Sequence, residues 1–132
     1  MSNFVPCIVE LDGLQFASTE HAYVAAKTLD QTKRLEISLV ETAGQVKRLG
    51  RKIKLRADWE EVKIDIMRDL LIQKFAQEPF KSQLLATGDA YLEETNTWND
   101  MFWGVCEGVG YNTLGWLLME IREDLQAIAR KE

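Results

Sequence analysis

Within ten residues, Ser18-Thr19-Glu20-His21-Ala22-Tyr23-Val24-Ala25-Ala26-Lys27, the chain places a carboxylate, its one histidine, a phenol and an amine. Read as a helix, Glu20, Tyr23 and Lys27 stand at i, i+3 and i+7 and share one face over roughly 10 Å of axis, with His21 about a quarter-turn away. A carboxyl can move a proton, and an amine with a depressed pKa can attack an imine carbon. The same residues also have a structural account. Glu20 suits the positive end of a helix dipole, Tyr23 a core, Lys27 a surface, and His21 a half-buried hydrogen-bonded position. Spacing alone leaves both accounts open.

A second cluster is Asn96-Thr97-Trp98-Asn99-Asp100-Met101-Phe102-Trp103-Gly104, three large rings around a carboxylate. Large rings in a non-helical segment either plug a core or offer a face to a ligand. If they wall a cleft, desolvation would raise the Asp100 carboxyl toward the range of a general acid. A third is Lys47-Arg48-Leu49-Gly50-Arg51-Lys52-Ile53-Lys54-Leu55-Arg56, in which six of ten residues are basic. Val46, Leu49 and Ile53 form an apolar stripe that could anchor it while the cations meet solvent or clamp phosphate, with arginine suited to bidentate contacts. Gly108-Val109-Gly110 lacks the spacing of a dinucleotide fingerprint and reads as a turn.

The elements that must position these groups can be read from pattern. Residues 7–10 and 14–17 flank Asp12-Gly13, a strong hairpin signal. An amphipathic helix follows, with Ser18 or Thr19 as N-cap and Glu20 in its first turn. Further helices are predicted over 33–40, 43–53, 58–76 and 79–86. In the fourth, Trp59, Val62, Ile66, Leu70, Lys74 and Phe75 trace one face; Asp58 is its expected cap, and Gly88 closes the helix after it. Short strands are expected at 91–94 and 102–105. A last helix over 113–130 carries Leu114, Leu117, Leu118, Ile121, Leu125 and Ile128 at helical spacing. The expectation is a mainly α (α+β) fold, a compact single domain over 1–132 with a small hairpin and short-strand component.

Length and composition narrow the rest. A chain of 132 residues can bury roughly two-thirds of its unfolded surface around one core. Hydrophobic residues at 46% and charged residues at 28% are the balance of a folded, soluble protein. No apolar run is long enough for a membrane span and no signal-like segment opens the chain, so the expected location is the cytoplasm. Cys7 and Cys106 stand far apart and read as reduced, buried thiols. With a single histidine there are too few ligands for a metal site, and neither metal nor cofactor is expected. The net charge of −5 opposes broad affinity for nucleic acid.

In order along nearly the whole chain, Ser2-Asn3-Phe4, Pro6-Cys7, Ser18 to Ala22 with Ala26-Lys27, Gly44 through Arg51, and Leu55 to Trp59 resemble the NADAR, or YbiA-like, family. So do Leu85 to Asp89, Trp98 to Asp100 with Phe102 to Gly104, and Gly110 to Gly115 with Leu118-Met119. The resemblance implies an N-glycosidase that cuts between ribose and an amino nitrogen. The substrate is expected to be a phosphorylated ribosylamine, above all a ribosylamino-pyrimidine phosphate of riboflavin synthesis. The alternative is ADP-ribosylated guanine, which would admit nucleic acid as a substrate.

By the same resemblance Glu20, Asp100 and Lys27 are the expected catalytic residues. Asn3, His21, Tyr23, Arg48, Arg51, Trp98, Trp103, Gly104 and Asn112 are expected to bind substrate, with Trp98 and Trp103 stacking the heterocycle. Two routes are open, a carboxyl pair of Glu20 and Asp100 or a Schiff base on Lys27. A third hypothesis is a non-catalytic ADP-ribose or nucleotide-binding module. Val5, Thr19 and Trp116 depart from the family pattern.

Overall fold

The structure, a computed structural model, describes residues 2–132. Its contacts divide into two compact units, one ending at Gln77 and one running from Glu78 to Glu132. As expected, the protein is mainly α-helical with a small hairpin.

In the first unit, β1 (Pro6–Leu11) and β2 (Leu14–Ser18) pair antiparallel with Val9 opposite Phe16 and Leu11 opposite Leu14. Asp12 and Gly13 both have positive φ, 48° and 88°, which is what a two-residue turn with the twist of a hairpin requires. Cys7, Val9, Phe16 and Ser18 face inward. Ser18 then turns from strand to helix: its backbone is extended, and its Oγ accepts the His21 amide at 3.1 Å as the N-cap of α1 (Thr19–Ala26).

The first helix is not amphipathic, contrary to expectation. Thr19 and every residue from His21 to Ala26 are buried, because α1 packs against the hairpin, α2 (Gln31–Ser38), α3 (Ala43–Gly50) and α4 (Trp59–Phe75). A helix covered on most sides needs small and apolar residues all round, hence Ala22, Val24, Ala25 and Ala26.

The expected bounds of α2 and α3 are corrected. Asp30 caps α2 through the Thr32 and Lys33 amides at 2.9 and 3.2 Å, starting it two residues before 33. The third helix begins with a Thr42/Gln45 capping box but ends at Gly50, three residues short of 53. Continuing it would set Lys47 beside Arg51 and Arg48 beside Lys52, like charges at i, i+4. Leu49 is correspondingly exposed while Val46 is fully buried. Asp58 precedes α4 but does not cap it, since Arg56 takes both carboxylate oxygens, Nε to Oδ1 at 2.6 Å and the guanidinium to Oδ2 at 3.0 Å. The buried face of α4 is Trp59, Met67, Leu70, Leu71, Lys74 and Phe75, with Val62 and Ile66 only half-buried.

In the second unit, α5 (Phe80–Ala86) ends at Thr87, and Gly88 follows with φ of 62°, the usual glycine exit. The long α6 (Thr113–Lys131) buries Leu114, Leu117, Leu118, Ile121 and Arg122, while Ile128 lies outside. Arg122 donates to Thr87 Oγ1 at 2.8 Å, and Gln126 Nε2 donates to the Gly88 carbonyl at 3.0 Å, tying α6 to the end of α5. The strands expected at 91–94 and 102–105 are replaced by a two-residue parallel pair, β3 (Thr95–Asn96) with β4 (Val105–Cys106). Side-chain amides organise this segment instead. Asn112 Oδ1 accepts the Glu94 amide at 2.9 Å, and Asn96 brackets Asp100 through the Asp100 amide and carbonyl at 3.0 and 2.8 Å. Among the described residues, no helix is long and apolar enough to cross a membrane.

Candidate functional site

In the first unit α1 carries two of the three expected catalytic residues, Glu20 in its first turn and Lys27 as its C-cap. Glu20 and Lys27 are both half-buried. Burial pushes the Lys27 ammonium below the ordinary lysine value of 10.5, and the Glu20 charge holds it partly back up, so the two groups interact. Tyr23 lies between them on the same face. Its ring meets Lys27 Nζ at 5.7 Å from the centroid and Trp59 at 5.1 Å between centroids, tilted by 54°. The Tyr23 ring covers one side of the amine, and Trp59 backs that ring.

The backbone around the pair is held at both ends. The Glu20 amide, near the start of α1 and without an intrahelical acceptor, donates to the Asn3 carbonyl at 3.1 Å. The Lys27 carbonyl accepts the Arg56 amide at 2.7 Å. Asn3 Nδ2 reaches Met67 Sδ at 3.8 Å, and its Oδ1 is buried with no hydrogen-bond partner.

His21 does not join this face. Its Nε2 lies 2.9 Å from the Val40 carbonyl and its Nδ1 2.6 Å from Ser18 Oγ. A carbonyl only accepts, so Nε2 donates to Val40, and Nδ1 shares a second hydrogen bond with the Ser18 hydroxyl. Both ring nitrogens are committed inside the protein, leaving none for the substrate contact expected from the sequence.

Arg48 and Arg51, the expected phosphate ligands, are exposed at the end of α3. Arg48 lines an open depression of about 590 Å³ together with Val40, Glu41, Gln45, Leu49 and Lys52.

The second unit places the aromatic cluster. Asp100 Oδ1 accepts the amides of Phe102 and Trp103 at 3.2 and 3.0 Å, an Asx-type turn. Phe102 and Trp103 stack edge to face at 4.9 Å, and Trp98 is 57% exposed. Gly104 packs so closely that a Cβ there would collide with the Glu94 carbonyl. Asn112 is buried in a left-handed conformation, with Nδ2 on the Leu92 carbonyl at 2.9 Å and the Tyr91 hydroxyl at 3.2 Å. Gly104 and Asn112 are thus occupied in shaping the loop.

Sequence reasoning missed two residues packed against Tyr23 and Lys27. Trp59 backs Tyr23, and Gly50 lies so close to α1 that a Cβ there would stand 3.4 Å from Lys27 Nζ. A glycine inside a helical pattern with no turn to make was the available signal for the second.

The model of the NADAR domain matches residues 1–126. A riboflavin biosynthesis protein of Vibrio vulnificus is 39% identical over 130 residues, covering 96% of this chain and 35% of that protein, so the chain spans about a third of that relative's length. The N-glycosidase YbiA of Escherichia coli is 42% identical over 128 residues, covering 94% of this chain and 79% of YbiA. The NMR structure of E. coli YbiA matches with a TM-score of 0.86 at 41% identity, covering 99% of this chain and 79% of that one.

Proposed function

Because this chain belongs to the NADAR domain family, we propose that it hydrolyses an N-glycosyl bond, releasing a ribose from an amino nitrogen. The observation that carries the reading is the pairing of Glu20 with a desolvated Lys27 on one face of α1.

Hydrolysis breaks the bond from C1′ to nitrogen, gives the nitrogen a proton and gives C1′ the hydroxyl of a water. A ribosylamine can open to an imine, and the lone pair of an unprotonated Lys27 can add to C1′. The departing amine then leaves with its electron pair and a proton, and water cleaves the resulting Schiff base to restore Lys27. Glu20 is suited to carry the protons, and the lowered Lys27 pKa enlarges the fraction of amine able to attack. Glu20 as acid in a direct displacement is the other route, and it needs no bond to Lys27.

The substrate we favour is a ribosylamino-pyrimidine phosphate, in keeping with the name of the V. vulnificus relative. A second reading, ADP-ribose on guanine, is favoured by the exposed cations Arg48, Arg51 and Lys52, which suit a diphosphate. Mass spectrometry of wild-type protein incubated with each substrate separates them. Release of free pyrimidine and ribose phosphate supports the first, and release of ADP-ribose from guanine the second. Saturable ADP-ribose binding without cleavage of either would make the protein a binding module and refute the proposal.

A further inference from the structure

The most deeply buried cation outside the site is Lys74, on the last turn of α4, with no exposed surface. An ammonium in such a place loses its hydration, and an apolar side chain of similar length would cover the same core without that cost. The Lys74 ammonium lies against the Phe75 ring, 5.3 Å from the centroid. What Lys74 reaches is the start of the chain: Nζ donates to the Ser2 carbonyl at 2.8 Å.

That carbonyl is the hub of a tight turn. It also accepts the Val5 amide at 3.2 Å, and Ser2 Oγ accepts the Phe4 amide at 3.1 Å. The next carbonyl along, that of Asn3, is the acceptor for the Glu20 amide at 3.1 Å. Glu20 stands second in α1, where the helix itself offers its amide nothing. The side chain of α4 therefore holds an N-terminal arm, and the arm holds the backbone of Glu20.

We propose that Lys74 is a positioning residue for Glu20, acting through residues 2–3 of the arm. The proposal rests on the hydrolase reading for its effect on rate, but the clamp itself is measurable without substrate. Lys74→Met keeps the apolar stem as far as Cε and removes the donor and the charge.

The test is amide hydrogen exchange by NMR on wild type and Lys74→Met, with turnover measured on the same samples. In wild type the Glu20 amide is protected. In Lys74→Met it exchanges at least roughly tenfold faster, while the Val24 and Ala25 amides of the same helix are unchanged. The kcat falls by roughly tenfold to a hundredfold, with KM moved by less than about threefold.

A Glu20 amide that is unprotected in wild type, or equally protected in both proteins, overturns the inference whatever the turnover. So does a fall in thermal stability that leaves kcat per folded molecule and Glu20 protection intact. A wild type that cleaves neither substrate sinks the hydrolase reading, and the exchange rates still decide the clamp. Should Lys74→Met not fold, Lys74→Gln, whose amide nitrogen stops one bond short of Nζ, takes the same measurements with the same expected signs.

Discussion

The Lys27 ammonium stands 5.7 Å from the centroid of the Tyr23 ring, one turn away on the first helix. Water is displaced from that side of the amine, while Glu20 supplies the opposing charge. Replacing Glu20 by Gln removes an influence that raises the Lys27 pKa, so Glu20→Gln is expected to lower it further. A titration of the Lys27 side chain by NMR reads this directly, and an unchanged midpoint would remove the electrostatic contact. Stability should follow the same group. The folded chain gives up this proton at lower pH than the unfolded chain, whose value is about 10.5. Between the two values the unfolded state binds more protons, so stability rises with pH in that window. Lys27→Met is expected to flatten the rise in urea denaturation.

Gly50 sets how closely the third helix approaches the first. An alanine Cβ would stand 3.0 and 3.2 Å from the Val24 methyl carbons and 3.4 Å from Lys27 Nζ. Alanine gains about 0.5–1 kcal/mol in helix propensity. Val24 is branched and fully buried, however, and cannot yield, so overpacking of roughly 1–3 kcal/mol should prevail. Gly50→Ala is therefore expected to lower the urea midpoint; a midpoint raised above wild type would show that the helices separate freely.

Ser18 and His21 are expected to matter for stability rather than for turnover. Ser18→Ala removes the N-cap of α1 and leaves His21 Nδ1 without its hydroxyl partner. Together these cost roughly 2–4 kcal/mol. The kcat per folded molecule should stay near wild type, and a stable variant with lost turnover would instead place these residues on the substrate.

Asp100 can be divided between turn and reaction. Its Oδ1 holds the Phe102 and Trp103 amides, and asparagine offers the same oxygen without the charge. If Asp100 serves the turn alone, Asp100→Asn keeps stability and turnover while Asp100→Ala loses both. Turnover lost in Asp100→Asn with the melting temperature retained would assign the carboxylate a part in the chemistry.

What could be read from sequence was whatever rests on neighbours in the chain. Asp12-Gly13 encodes its own turn, the Ser18-Thr19 pair a cap, and the long helices α4 and α6 their own periodicity. What could not be read depends on distant partners. Asp58 looked like a cap until Arg56 claimed it, and Asn112 looked like a ligand-binding residue until Leu92, Tyr91 and Glu94 claimed its amide. Lys74 fell on the buried face of its predicted helix, but its partner lies at Ser2, across the whole unit. The aromatic segment pairs over only two residues at a time, too short for an alternating pattern to register. The proposed site divides in the same way: Glu20, Tyr23 and Lys27 stand out in the sequence because they share one helical spacing, whereas Trp59 meets Tyr23, and Gly50 meets Lys27, from other elements.

The central claim is that Glu20 and Lys27 carry out hydrolysis of an N-glycosyl bond. Its most direct measurement is the rate at which free base leaves a ribosylamino-pyrimidine phosphate with wild type, Glu20→Gln and Lys27→Met, each checked by its melting curve. The account predicts release by wild type and a loss of roughly a hundredfold or more in each folded variant. Folded variants that release base as fast as wild type would contradict it.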